Sequence, residues 1–181
     1  MKILKLVIIA IAAIVVFGVL AVAGLVAFMG YVGTDTLSSR ATDSQMLAPD
    51  GTVAGKALVV YNPGLSGNPE TAAKLIAGDL RDKGYEVCLA GINSTAAADV
   101  SSYNVIVVGG PIYGGVVSSS VQSYLTTMVP PEGAVIGAFA IGNNYSEQPF
   151  PTEAGLKTSA VISQNRDMDS QCAGFTAKLL D

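Results

Sequence analysis

The chain has 181 residues, half of them hydrophobic, with 10 basic and 14 acidic side chains and a net charge of −4. That balance argues against a nucleic-acid binder, which needs a basic face to meet phosphates. Histidine is absent, which removes imidazole bases, Ser-His-Asp and Cys-His nucleophile systems and most transition-metal sites; no catalytic side chain and no metal ligand set is expected.

Lys2 and Lys5 precede an almost unbroken apolar run from Leu6 to Met29 with no charge inside it. A helix needs about 20 such residues to cross a bilayer. The competing reading is a cleaved signal peptide, with Ala21-Val22-Ala23 as its small-residue cleavage site. The run outlasts the ~7–15 residues of a signal h-region and continues past that site, so a retained anchor over residues 1–30 is expected. The two lysines flank one end, while Asp35, Arg40 and Asp43 bring no positive excess to the other. The positive-inside rule then puts the N-terminus inside and the following domain outside. Residues 31–55 are rich in Thr, Ser, Gly and Asp without a sustained period, and read as a linker.

The folded domain, 56–181, opens with Ala57-Leu58-Val59-Val60-Tyr61, a short apolar strand. It runs into Asn62-Pro63-Gly64-Leu65-Ser66-Gly67-Asn68-Pro69 and then a helical pattern. Strand, glycine loop and helix N-terminus are the parts of a phosphate cradle, with outward N–H groups and a positive dipole end. Asn68 suits the N-cap, Pro69 the first helical position and Glu70 the first turn. Ala72, Ala73, Leu75, Ile76 and Leu80 share one helical face, and Lys83-Gly84 ends it.

Tyr85 to Ala90 reads as the second strand and Ala96–Val100 as a short helix capped by Asn93-Ser94-Thr95. Asn104 to Val108 is the third strand, continuously apolar as a strand covered on both faces must be. It leads into a second glycine loop, Gly109-Gly110-Pro111-Ile112-Tyr113-Gly114-Gly115. Ser118 to Met128 is the next helix, stopped by Pro130-Pro131. Ala134 to Ile141 is the fourth strand and ends in a third loop, Gly142-Asn143-Asn144-Tyr145. An irregular crossover over 147–155, a short fifth strand at Ser159–Ser163 and a helix capped by Asp167 or Asp169 complete the chain. Cys88 and Cys172 form no CxxC pair; Cys88 reads as a small core residue, and a Cys88–Cys172 disulfide would need an oxidising compartment.

Alternating strands and helices imply an α/β fold, a doubly wound parallel sheet. Ligands of such sheets bind beyond the carboxyl ends of the strands. Three of those ends carry small flexible loops here, which points to one ligand cleft.

From Lys56 onward the chain resembles the flavodoxin family. Ser66-Gly67-Asn68 with Ala72-Ala73 looks like that family's Thr-Gly-Asn-Thr phosphate loop. The stretch from Gly109 to Gly115, with Ser118 and Tyr124-Leu125, looks like its Gly-Ser-Pro-x-Tyr-x-Gly loop. Gly142 to Tyr145 stands where its second flavin-edge loop lies. The resemblance implies a five-stranded parallel sheet of order 2-1-3-4-5 and non-covalently bound FMN. Gly64, Leu65, Ser66, Gly67 and Asn68 would lie at the phosphate. Pro111, Ile112, Tyr113 and Gly114, with Gly142, Asn143, Asn144 and Tyr145, would flank the ring. Tyr113 and Tyr145 are the stacking candidates.

The sequence also departs from the family. Its three hydroxyl positions are Gly64, Ser66 and Pro69 here, so one hydroxyl survives, and Pro69 removes a backbone N–H as well. The family's domains are usually cytoplasmic, whereas the lysines put this one outside. Two expectations follow. One is a membrane-anchored redox module that passes electrons between redox partner proteins or membrane quinones, or a small flavin-dependent oxidoreductase. The other is a flavin-free, membrane-tethered binding or scaffold domain on the same fold. A nucleotide-hydrolysing reading lacks a Walker lysine after Gly67 and a nucleophile beside a base.

Overall fold

A computed structural model describes residues 2–33, 41–143, 145 and 149–181. The apolar N-terminal run forms one helix, α1 (Lys2–Gly33). Its 18-residue stretch Ile11–Phe28 has a mean hydropathy of 2.9, and none of it is buried against protein. At 1.5 Å per residue that stretch is about 27 Å long, close to the ~30 Å of a bilayer's hydrocarbon core. By length and composition it can cross a membrane or serve as a signal sequence.

The first strand, β1 (Ser44–Leu47), lies inside the segment expected to be linker. It is followed by β2 (Gly55–Tyr61), α2 (Asn68–Asp82), β3 (Tyr85–Gly91), β4 (Val105–Tyr113) and the two-residue β5 (Val116–Val117). Then come α3 (Ser119–Thr127), β6 (Val135–Ile141), β7 (Thr158–Ile162) and α4 (Met168–Leu180). The sheet order is β1-β3-β2-β4-β6-β7, with β5 paired to β4. The five strands from β3 to β7 along this path are parallel, which is the doubly wound 2-1-3-4-5 order.

Two features correct the sequence reading. First, β1 adds an antiparallel edge strand, with Ser44 opposite Ala90 and Leu47 opposite Val87. The Gly91 amide donates to the Asp43 carbonyl at 2.8 Å and the Asn93 amide to the Ala41 carbonyl at 2.9 Å. A bare edge on β3 would present unpaired N–H and C=O groups, and this segment covers them. Second, the second glycine loop is largely strand. Gly109, Gly110 and Pro111 continue the parallel register against Phe139, Ala140 and Ile141. Ile112 and Tyr113 then pair with Val117 and Val116 in a hairpin. Its two-residue turn is Gly114-Gly115, with φ of 61° and 91°. Positive φ at both central residues is the twist-matched hairpin turn, which glycine adopts without strain.

Side chains alternate across β2. Ala57 and Val59 join Ile76, Leu80, Phe139, Phe175 and Leu179 in the layer under α2 and α4. Leu58 and Val60 join Ile106, Val108, Val121 and Leu125 in the layer under α3. This two-sided burial explains why β2, β4 and β6 are continuously apolar. Cys88 belongs to the second layer and Cys172 to the first. Both are buried free thiols, so the pairing considered from composition is not made. Burial, with Asp79 and Asp169 nearby, pushes the Cys172 thiol up to about 12. The short helix expected over Ala96–Val100 is a single 3-10 turn, Thr95–Ala97, capped where the Ala97 amide donates to Ser94 Oγ at 3.3 Å. The Asp167 carboxylate caps α4 by accepting from the Asp169 amide at 3.2 Å.

Candidate functional site

The parallel strands deliver three chain segments to one edge of the sheet. Between them lies a cleft of about 810 Å³. Of the residues singled out from sequence, it brings together Leu65, Ser66, Pro111, Ile112, Tyr113, Gly114, Gly142, Asn143 and Tyr145. Gly64, Gly67 and Asn68 are not part of this lining, and Asn144 lies outside the described residues. Pro69, Gly115, Ile141 and Gln164 complete the wall. None of these lining residues carries a charge. The size is within the range of small-molecule and cofactor sites.

The first loop is held from within. Asn62, only 1% exposed, sits directly after β2. Its Oδ1 accepts from the Gly64 amide at 2.9 Å, and its Nδ2 donates to Ser120 Oγ at 2.9 Å. Asn62 therefore ties the loop to α3, a role that its place in a run of turn residues did not disclose. Tyr113 crosses from the second segment, and its hydroxyl accepts from the Leu65 amide at 3.2 Å. The Gly67 amide donates to the Pro63 carbonyl at 3.2 Å, and the Asn68 amide to Ser66 Oγ at 3.3 Å.

The cap of α2 lies one residue earlier than the sequence reading placed it. Gly67 is the N-cap, with φ of 72°, and Asn68 is already helical. The left-handed backbone needed there favours glycine over asparagine. Pro69 in the first turn has no N–H to offer. Lys74 Nζ lies 2.7 Å from Glu70 Oε1, so the cation of this helix turn is paired to the acid of the same turn. Burial, and then the Glu70 carboxylate, raise the pKa of the Tyr61 phenol at the end of β2.

The other two segments meet differently. A Cβ placed on Gly142 would sit 2.9 Å from Ile112 Cβ, so β6 and β4 deliver their ends in direct contact. A Cβ on Gly109 would fall 2.2–2.4 Å from the Phe139 ring, which explains the small residue within the strand. The third loop is fixed from β7. Ser163 Oγ donates to Asn143 Oδ1 at 3.0 Å. Gln171 on α4 holds Ser163 in turn, accepting from its amide at 2.9 Å and donating to its carbonyl at 3.1 Å. Ser163 and Gln171 gave no sequence signal, because their contacts join segments that the sequence reading left as a strand end and a helix face. Tyr145, 55% exposed, stands at the cleft's solvent side.

No family model matches the sequence, and a search of curated proteins returns no match. Solved structures do match. One is a short-chain flavodoxin associated with a non-canonical PDU bacterial microcompartment, with 21% identity and a TM-score of 0.53 over 69% of this chain and 95% of that one. Another is oxidised flavodoxin 2 from Bacillus cereus, with 17% identity and a TM-score of 0.50 over 69% and 97%. A third is the apo form of an NADH:FMN oxidoreductase, with 12% identity and a TM-score of 0.52 over 70% and 88%. The fold is flavodoxin-like. At these identities the likeness is one of architecture, and architecture does not fix chemistry.

The residues of this flavodoxin-like domain meet the two halves of FMN unequally. The neutral walls of Pro111–Gly115 and Ile141–Asn143 suit a flat ring. The first loop suits a phosphate less well, because the amides of Gly64, Leu65, Gly67 and Asn68 already donate to protein acceptors and Pro69 has none, which leaves the Ser66 and Glu70 amides.

Proposed function

We propose that this is a membrane-tethered flavodoxin-like protein that holds a flavin ring in its cleft and exchanges electrons with redox partner proteins or membrane quinones. The observation that carries this reading is the cleft itself: about 810 Å³ of neutral space at the carboxyl edge of the sheet, walled by the ends of β4 and β6. A bound flavin supplies one- and two-electron chemistry, so no side chain need act as acid or base. The chain's own residues hold and orient the ring. Ile112 and Gly142 set the floor, Tyr113 spans to the first loop, and Tyr145 stands between the cleft and water. Through α1 the domain is tethered to the bilayer, with Lys2 and Lys5 inside and the domain outside. The net charge of −4 favours docking to basic patches on partner proteins.

A second reading has its own support. A flavin-free, tethered binding domain fits the first loop, four of whose amides are turned inward. The full chain in detergent micelles, titrated with FMN and followed by visible absorbance and flavin fluorescence, separates the two. The redox reading expects a shifted, partly quenched spectrum that survives desalting into buffer with trace flavin. An unshifted spectrum with full fluorescence at every concentration turns the assignment to the flavin-free domain.

A further inference from the structure

We infer that the cleft recognises a flavin mainly by its ring and little by its terminal phosphate, so that riboflavin binds within about tenfold of FMN. The inference rests on the proposed flavin site and specifies which part of the ligand that site reads.

A phosphate leaving water must recover its lost hydration as charge-assisted hydrogen bonds or as contact with cations. The first loop offers little of either. The Gly64 amide donates to Asn62 Oδ1 at 2.9 Å and the Leu65 amide to the Tyr113 hydroxyl at 3.2 Å. The Gly67 amide donates to the Pro63 carbonyl and the Asn68 amide to Ser66 Oγ. In the last bond Ser66 Oγ accepts, so the donors left to the loop are its O–H and the Ser66 and Glu70 amides, beside the Glu70 carboxylate. Pro69 brings a ring where an amide would face an anion at a helix N-terminus.

Nor is the loop free to re-form. A Cβ on Gly64 would lie 2.9 Å from the Pro111 ring and 3.2 Å from the Tyr113 hydroxyl. The loop thus rests its back on the second segment, and Asn62 locks it to α3 from below. Charge points the same way. Lys74 is bound to Glu70 at 2.7 Å, and the carboxylate it neutralises belongs to the very turn where a phosphate would sit. Among the described residues, none that lines the cleft is basic. The ring end carries none of these obstacles, because its walls are proline, isoleucine, glycine and tyrosine, with neutral amides at the rim.

Each charge-assisted hydrogen bond to a phosphate would favour FMN over riboflavin by about tenfold or more. With four of the loop's amides committed and the Glu70 carboxylate opposing an anion, the two affinities should agree within about tenfold. The test is fluorescence titration of the full chain in detergent micelles with riboflavin and with FMN, at low and at physiological salt. Dissociation constants within about tenfold of each other that hardly respond to salt support the inference. FMN binding a hundredfold tighter overturns it and leaves the flavin site standing. Failure of both flavins to bind overturns the proposed function and this inference together. Pro69→Thr returns one amide and one hydroxyl to the turn, and should raise the FMN-to-riboflavin affinity ratio about tenfold. A ratio that does not move overturns the part of the argument that rests on Pro69.

Discussion

The two ends of the cleft are built from the same kinds of residue and reach opposite states. Both are glycine-rich, both follow buried parallel strands, and neither carries a charge on its lining. At the first loop four backbone donors turn inward, to Asn62, Tyr113, Pro63 and Ser66. Where β4 and β6 end, the backbone bonds belong to the sheet, with the Gly142 amide on the Ile162 carbonyl at 3.3 Å and Ile112 and Tyr113 in the hairpin, and side chains complete the tying: Ile112 packs on Gly142, and Ser163 holds Asn143. One end is tied within its own loop, and the other by the sheet and by packing between strand ends. A glycine in such a segment therefore does not by itself signal a binding loop.

Asn62 is where this comparison is most easily broken, since it supports the first loop and α3 together. Asn62→Ala leaves the Gly64 amide and the Ser120 hydroxyl without their buried partner. That should cost about 1–3 kcal/mol of stability, or a fall of roughly 3–10 °C in Tm. Thermal unfolding of the full chain in detergent, followed by circular dichroism, measures it. A Tm within 1 °C of the parent would show that the Asn62 bonds do not hold the first loop.

Gly142→Ala probes the open end. Its methyl group would meet Ile112 Cβ at 2.9 Å, between two backbones that the β4–β6 ladder holds in register. Overpacking of this kind costs about 1–3 kcal/mol. Expressed in the shape of the cleft, it should weaken riboflavin and FMN alike by about tenfold. Equal loss for both ligands is the signature of a ring site. A loss confined to FMN would move the discriminating contact to the third segment.

Much of the architecture was legible in the sequence, for physical reasons. Val105–Val108 reads as a strand because both of its faces are covered, and a continuous apolar run has few other uses at that length. β1 was not legible. Ser44, Gln45 and Met46 are exposed in it, so the strand leaves no alternation to read and exists through the open edge of β3. The second glycine segment misled for another reason. Its glycines suggested a loop, whereas Gly109 is small because the Phe139 ring occupies the space. The cleft's membership could be read from motif order. The commitment of its donors could not, since Leu65 and Tyr113 meet across 48 positions of sequence.

That contact gives the finest test of the comparison. Tyr113 belongs to both ends: its backbone runs in the β4–β5 hairpin while its hydroxyl accepts from the Leu65 amide. Tyr113→Phe keeps the aromatic body at the ring end and removes the hydroxyl that accepts from the Leu65 amide. The Leu65 amide is then released on an exposed residue, where water or a phosphate oxygen can take it. Riboflavin affinity reports any change in ring contact, so the ratio of FMN to riboflavin isolates the phosphate. One freed donor should raise that ratio by about three- to tenfold, read from paired fluorescence titrations against the parent chain. If both affinities fall together, the hydroxyl acts on the ring and the division of the cleft into two ends is wrong. If the ratio alone rises, one hydroxyl on a neighbouring hairpin is enough to keep the loop closed to phosphate.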